Sequence, residues 1–247
     1  MINVQSVSLS FQHGSTANQV LQEISFTVEP HGSCAIIGPS GCGKTSLLFL
    51  LAGLLQPGSG DITITGNPRS GTILQNFGLF PWKTVSDNIG LGLVLKREKK
   101  SRIHQRVEQL LAEMGLSGFG SHYPGQLSGG MQQRVALARA LAVEPEILFM
   151  DEPLSSLDAL TRERLQNLIL DVWQRKNITT VLVTHSIEEA VFLGRRIVVL
   201  SRRPARILRI VENPEAGSLD YRQTDHFFHQ CTALRAILKG EYNGQET

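Results

Sequence analysis

Apolar and polar positions change their period twice along the chain. Val4, Val7, Leu9 and Phe11 mark a strand-rich opening, and Leu21, Ile24, Phe26 and Val28 continue it until Pro30 and Gly32 stop it. The polar, glycine-containing stretch from Gln12 to Asn18 predicts a turn between them. Residues 34–37 form an unbroken apolar run, the pattern of a buried strand, and residues 46–52 read as a helix ending at Gly53. Residues 61–65 and 71–75 are strand-like. From 76 to 145 the helical period takes over. Ile103, Val107, Leu110, Leu111 and Met114 share one helix face, closed by Gly115, while Met131, Val135, Ala138 and Ala142 form another.

Strand and helix alternate again beyond Pro145. Residues 147–150 read as a buried strand, and Leu165, Leu168, Ile169, Val172 and Trp173 as an amphipathic helix. Residues 179–183 form a strand, 186–192 a short helix and 197–200 a strand. This alternation predicts an α/β fold: a mostly parallel sheet with covered faces, an N-terminal β subdomain and a helical subdomain (76–145) inserted in one domain spanning 1–247. From Pro214 to the end at 247 a helical tail is expected. Its Phe227, Cys231, Leu234 and Leu238 share a face that packs on the core or on a twin chain. Neither an internal repeat nor a run of heptads interrupts the pattern.

Composition narrows the class without changing the fold. The 247 residues carry 24 Lys and Arg against 22 Asp and Glu, a net charge of +2, so no nucleic-acid partner is expected. The local basic runs, 96–102 and Arg202, Arg203, Arg206 and Arg209, read as solvated faces, with anionic lipid headgroups the weaker alternative. Three scattered cysteines (Cys34, Cys42, Cys231) make neither a disulfide framework nor a zinc spacing and fit a reducing compartment. Residues 1–6 have a strand pattern, not that of a signal peptide. The longest apolar run, 47–55, is too short to span a bilayer, so membrane work would need another chain.

The chemistry gathers at expected strand ends. Gly38, Pro39, Ser40, Gly41, Cys42, Gly43, Lys44 and Thr45 fit G-x-x-x-x-G-K-[ST] between a strand and a helix that opens at Ser46, the arrangement of a phosphate-binding P-loop. Glycines let successive N–H groups turn inward on a polyanion, the helix N-terminus adds its positive end, and Lys44 adds a point charge. The Thr45 hydroxyl is placed for Mg²⁺. Asp151 closes a buried strand in the Walker B manner, a second Mg²⁺ ligand, and Glu152 follows as a base or orienter for water. Pro153 is expected to keep Glu152 extended. Gln75 at a strand end reaches Mg²⁺ or the water, and His185, before the capping-box pattern 186–189, reaches a γ-phosphate. Phe11 is either a ring stacked on adenine or a core residue, and Val20 flanks the same base. Leu127-Ser128-Gly129-Gly130-Met131-Gln132-Gln133-Arg134 reads as a helix N-terminus capped by Ser128, with two glycines that permit close approach. A second anion site beside a complete P-loop suggests that one copy donates it to the ATP of another; a capped core helix is the alternative.

This last stretch resembles the signature motif of ATP-binding cassette (ABC) ATPases. With the P-loop, Gln75, Asp151, Glu152, the run Ser155-Ser156-Leu157-Asp158 and His185, the resemblance covers about the first 200 residues. Residues 79–89 and 195–204 look like the nitrate/sulfonate/taurine importer subfamily. The resemblance implies a homodimer that sandwiches two ATPs between one P-loop and the partner's Ser128, Gly129, Gly130 and Gln133, with Asp158 in a loop crossing the interface. Asp158 also fits an N-cap for the helix starting near Ala159. It further implies Mg²⁺, a peripheral place on the cytoplasmic face of the cell membrane, permease subunits, and a periplasmic or extracellular substrate-binding protein. The permease would dock on the segment 75–93, opened by Gln75 and closed by Leu93, where Trp82 is the expected anchor. Many relatives have Tyr where Phe11 stands. A soluble ABC ATPase acting on nucleic acid or cluster assembly, and a catalytically dead module, are the competing readings. The near-neutral charge opposes the first, and the presence of Lys44, Asp151, Glu152 and His185 opposes the second.

Overall fold

A computed structural model of the chain describes residues 1–13, 16–155 and 157–243. The elements run β1 (Ile2–His13), β2 (Thr16–Val28), β3 (Ser33–Ile37), α1 (Lys44–Leu51), β4 (Ser59–Ile64), β5 (Ser70–Ile73), α2 (Val85–Leu95), α3 (Lys100–Glu113), α4 (Gly129–Ala142), β6 (Ile147–Asp151), α5 (Ala159–Lys176), β7 (Thr179–Thr184), α6 (Ile187–Leu193), β8 (Arg196–Leu200), β9 (Ile207–Glu212) and α7 (Asp225–Asn243). They fall into two compact units, Met1–Pro68 with Leu170–Thr247, and Arg69–Ile169.

The first unit holds two sheets. β2, β1 and β4 make an antiparallel sheet. The turn expected from Gln12 to Asn18 is narrower than its composition suggests. Phe11 pairs with Asn18, Gln12 with Ala17 and His13 with Thr16, because the backbone ladder continues whatever the polarity of its side chains. Gly14 and Ser15 lie outside the described residues. In the second sheet β3 lies parallel to both β7 and β8, and β9 closes the edge antiparallel to β8. All five residues of β3 and all six of β7 are buried, as strands covered on both faces require. Each fully buried Ile, Leu or Val there contributes roughly 1.5–3 kcal/mol. The end of α6 comes so close to β3 that a Cβ on Gly194 would lie 2.7 Å from that of Ala35. Helix α7 packs on α6 through Phe227, Cys231 and Leu234, with Arg235 bonded to Glu188 at 3.0 Å on the rim. The tail therefore lies on this chain's own core. Asn213, fully buried, donates to the Val191 and Gly194 carbonyls and accepts from the Tyr221 hydroxyl, which fixes the approach to α7.

The second unit pairs β5 with β6 in parallel and packs α2, α3 and α4 together. Val107, Leu110, Leu111 and Met114 are buried along α3, and Gly115 (φ 64) ends it. α4 is not one-faced: every residue from Val135 to Ala138, and then Ala140, Leu141 and Ala142, is buried, the signature of a helix enclosed by its neighbours. α5 is divided between the units: Leu165, Gln166 and Ile169 are buried in the part that belongs to the second, with Leu168 half-exposed, and Leu170, Val172 and Trp173 in the part that belongs to the first. Among the described residues no helix is long and apolar enough to cross a membrane.

Candidate functional site

On the first unit the site grows out of β3. Ile37 pairs with Thr184 of β7 and with Val199 of β8, so Gly38 and His185 emerge from neighbouring strand ends. The loop then turns tightly. Gly41 has φ 75 and Gly43 φ 118, and a Cβ at Gly43 would lie 2.6 Å from Val20 Cγ1. Val20, fully buried, therefore supports the loop from beneath. Phe11 is 44% exposed on β1. Gly43 starts α1 without any side-chain cap, and no acidic residue stands in the first turn. Uncapped N–H groups at a helix start favour an anion.

Lys44 decides the character of this loop. Its side chain is only 5% exposed, and Nζ donates to the Gly38 and Pro39 carbonyls, 3.0 Å each. No carboxylate pairs with it among the described residues. A buried ammonium held by neutral carbonyls alone is costly unless an anion joins it. Ser40 and Gly41 are exposed, while Thr45 and Ser46 open α1. Cys42 is buried, and burial pushes its thiol up although Lys44 pulls it down.

On the second unit the parallel pair β5 and β6 aligns Ile73 with Met150. Asp151 ends β6 and is buried. Gln75 sits two residues past β5, in a turn, and its Nε2 donates to Glu152 Oε2 at 3.4 Å. Glu152 is not extended: its φ is 43, in the left-handed region, despite the proline that follows. The Ser155 hydroxyl bonds the Glu152 carbonyl at 3.1 Å, and these contacts outweigh the bias that a following proline sets. Arg162 ties down the next loop through the Leu154 and Leu157 carbonyls. Ser156 lies outside the described residues. Asp158 is the N-cap of α5, accepting from the Thr161 N–H at 3.0 Å, which holds its carboxyl below the usual range.

Ser128 caps α4, its hydroxyl accepting from the Met131 N–H, and it stands exposed with Gly129. Gly130 is used for packing: a Cβ there would lie 2.6 Å from Thr161 Cγ2, so the start of α4 abuts the start of α5. Gln133 does not share the exposed end. It is 2% exposed, five residues inside the cap, and faces the unit's interior. Gln132 instead pins the approach, its Nε2 donating to the Pro124 and Leu127 carbonyls. At His185 the expected capping box is half-present. Ser186 accepts from the Glu189 N–H, but the Glu189 carboxylate takes the Thr184 hydroxyl, and Thr184 accepts from the Ser186 N–H.

Two positioning residues escape the motifs. Fully buried Asn88 accepts from the Phe80 N–H and donates to the carbonyls of Phe80, Lys83 and Thr84. Arg139 donates to the Phe77 and Gly78 carbonyls, 2.7 Å each. Together they brace the segment 77–84 and leave Trp82 71% exposed, its ring edge-on to Phe80. A polar residue inside an apolar helix pattern is the signal that marks Asn88.

The fold and the loop around Lys44 define a P-loop nucleotide-binding protein. The family described as ABC transporter matches residues 21–155. "Taurine import ATP-binding protein TauB" of Pelagibacter ubique is 44% identical over 221 residues, covering 86% of this chain and 83% of its own. "Aliphatic sulfonates import ATP-binding protein SsuB" of Bacillus cereus is 41% identical over 218 residues, 86% of each chain. Among solved structures, "Dimeric structure of a post-hydrolysis state of the ATP-binding cassette MJ0796 bound to ADP and Pi" superposes with a TM-score of 0.78 at 29% identity, over 86% of this chain and 98% of that one. This chain belongs to the ABC transporter family, as an ATP-binding subunit that hydrolyses ATP.

Proposed function

We propose that the chain drives uptake of a small anionic or polar solute, of the taurine or sulfonate kind, through separate permease subunits served by a substrate-binding protein. The observation that carries its nucleotide role is Lys44, a buried cation without a carboxylate partner among the described residues, in a glycine cradle at the head of a helix that has no side-chain cap. Residues 38–46 hold the triphosphate, and His185 bonds the γ-phosphate. Phe11 offers its exposed ring to the adenine, and Val20 acts from beneath the loop. Thr45, Gln75 and Asp151 carry the oxygen atoms that suit Mg²⁺, a hard cation. Bound to the nucleotide, Mg²⁺ would neutralise phosphate charge. Glu152 takes a proton from the attacking water as the water oxygen bonds the γ-phosphorus. The bond to the β–γ bridging oxygen then breaks and ADP leaves.

The solved cassette bound to ADP and Pi is dimeric. A homodimer of this chain would set the exposed Ser128 and Gly129 of one copy against the ATP of the other, with Asp158 at the joint. Docked on a permease through Trp82 and the segment 75–93, the dimer works peripherally at the cytoplasmic face. The proposed domain plan is one ATPase domain with helical residues 76–145 inside it and the tail from 214. Reconstitution with permease and binding protein tests the reading. Hydrolysis by the assembled complex should rise when the binding protein is loaded with taurine or an alkanesulfonate. Hydrolysis indifferent to every such solute would overturn the importer reading.

A further inference from the structure

The second unit carries a cleft of about 180 Å³ that no nucleotide residue lines. Its walls come from the end of α2 (Leu93, Lys96), the first turns of α3 (Arg102, Arg106), the end of α4 (Val143, Glu144) and Arg69. Four cations face two carboxylates, Glu98 and Glu144. Arg102 is bonded to Glu98 at 3.1 Å and Arg69 is paired with Glu144 at 3.6 Å. That leaves Lys96 and Arg106 without a carboxylate among the described residues. Arg106 reaches only neutral oxygens, Gln109 Oε1 at 3.0 Å and the Leu141 carbonyl at 3.1 Å, and its buried Nε has no acceptor. The C-terminal ends of α2 and α4 each add about half a negative charge, which does not cancel two full cations. A guanidinium bonded only to neutral oxygens gains a stronger, charge-assisted partner when an oxyanion enters the cleft beside it.

The rim says which oxyanion. Val94 and Leu95, on the last turn of α2, are 55% and 76% exposed. Beyond them Arg97, Lys99 and Lys100 are exposed and make no ion pair among the described residues, so five of residues 96–102 are cations. A small soluble anion needs neither exposed leucine nor a ring of outlying cations. A membrane surface uses both: cations for its negative potential, and apolar side chains for the boundary between headgroups and acyl chains. We propose that this cleft seats the phosphate of an anionic phospholipid, with Leu95 and Val94 resting on the acyl boundary beside it.

The test is sedimentation of the full chain with phosphatidylcholine vesicles made with and without phosphatidylglycerol. At least tenfold tighter binding to the anionic vesicles is expected, weakening as salt rises above about 0.15 M. Lys96→Glu should weaken that binding about fivefold or more, following the usual contribution of one cation at an anionic surface. Leu95→Ser should weaken it as well, and Lys239→Glu, a charge reversal on α7, should not. ATP hydrolysis equal to that of the parent chain shows that each variant is folded. Equal binding to both vesicles, or an equal loss from Lys96→Glu and Lys239→Glu, overturns the proposal. So does competition by glycerol 3-phosphate in solution, which would make the cleft a site for free phosphate.

Discussion

At Glu152 the backbone takes φ 43 immediately before a proline. A left-handed non-glycine residue costs about 1–3 kcal/mol, and such strain gathers at functional positions. Two substitutions separate the carboxylate from the backbone. Glu152→Gln should slow hydrolysis by about 10²–10⁴ and leave ATP affinity intact, as loss of a positioned base does. Glu152→Gly should be as inactive but more stable, raising the thermal midpoint by about 2–4 °C for each kcal/mol of strain released. A lower midpoint would mean that the backbone there is relaxed. Cys34 gives a second prediction. Burial pushes its thiol up from 9.0 to about 12. Above pH 9 the unfolded chain releases this proton and the folded chain keeps it, so the contribution to stability is complete below pH 9 and lost between pH 9 and 12. Urea midpoints should fall across that window, and less so in Cys34→Ala. A fall of the same size in both chains would assign the effect to other groups. At this scale the P-loop was legible in the sequence, because its spacing and its strand-to-helix setting agree. The Glu152 conformation was not, because bonds from Ser155 and Gln75 overrule a local bias.

Among elements, the segment between β5 and α2 presents a large exposed ring, Trp82. Thr84 and Asp87 form a complete capping box at the start of α2, and Asn88 holds the loop before it by four hydrogen bonds. Trp82 is thus presented by a braced loop. Trp82→Glu should leave the thermal midpoint of the isolated chain within about 2 °C, since exposed substitutions rarely change stability by more than ~0.5 kcal/mol. It should also abolish co-purification with the permease. A chain that unfolds, or a complex that survives, would remove Trp82 from the contact. Helices and strands with one buried face were legible from periodicity. β9 was not: Leu208, Arg209 and Ile210 are all exposed at a sheet edge, so no alternation marks them. Gln133 shows the opposite limit: the motif names the residue, but its burial in α4 is set by packing that no motif states.

For the whole molecule, the shared-site reading predicts complementation. Ser128→Arg should bind ATP without hydrolysing it, and Lys44→Ala should bind ATP poorly. Mixed, they can form a dimer in which the intact P-loop of the first meets the intact α4 start of the second, so hydrolysis should reappear. Inactive mixtures with proven subunit exchange would show that each chain uses its own residues alone. The order of β3, β7 and β8 along the chain has a consequence for synthesis. β3 ends at Ile37, yet its neighbours begin at Thr179 and Arg196. At about 5–20 residues per second, the ribosome takes roughly 7–30 s to deliver β7 after β3 has emerged. Throughout that interval a strand of five apolar or small residues has no partner, and residues 69–169 are completed before β7 emerges. Nascent chains stalled before residue 179 should therefore bind chaperones through β3, and release should follow only once the last third of the polypeptide has left the tunnel.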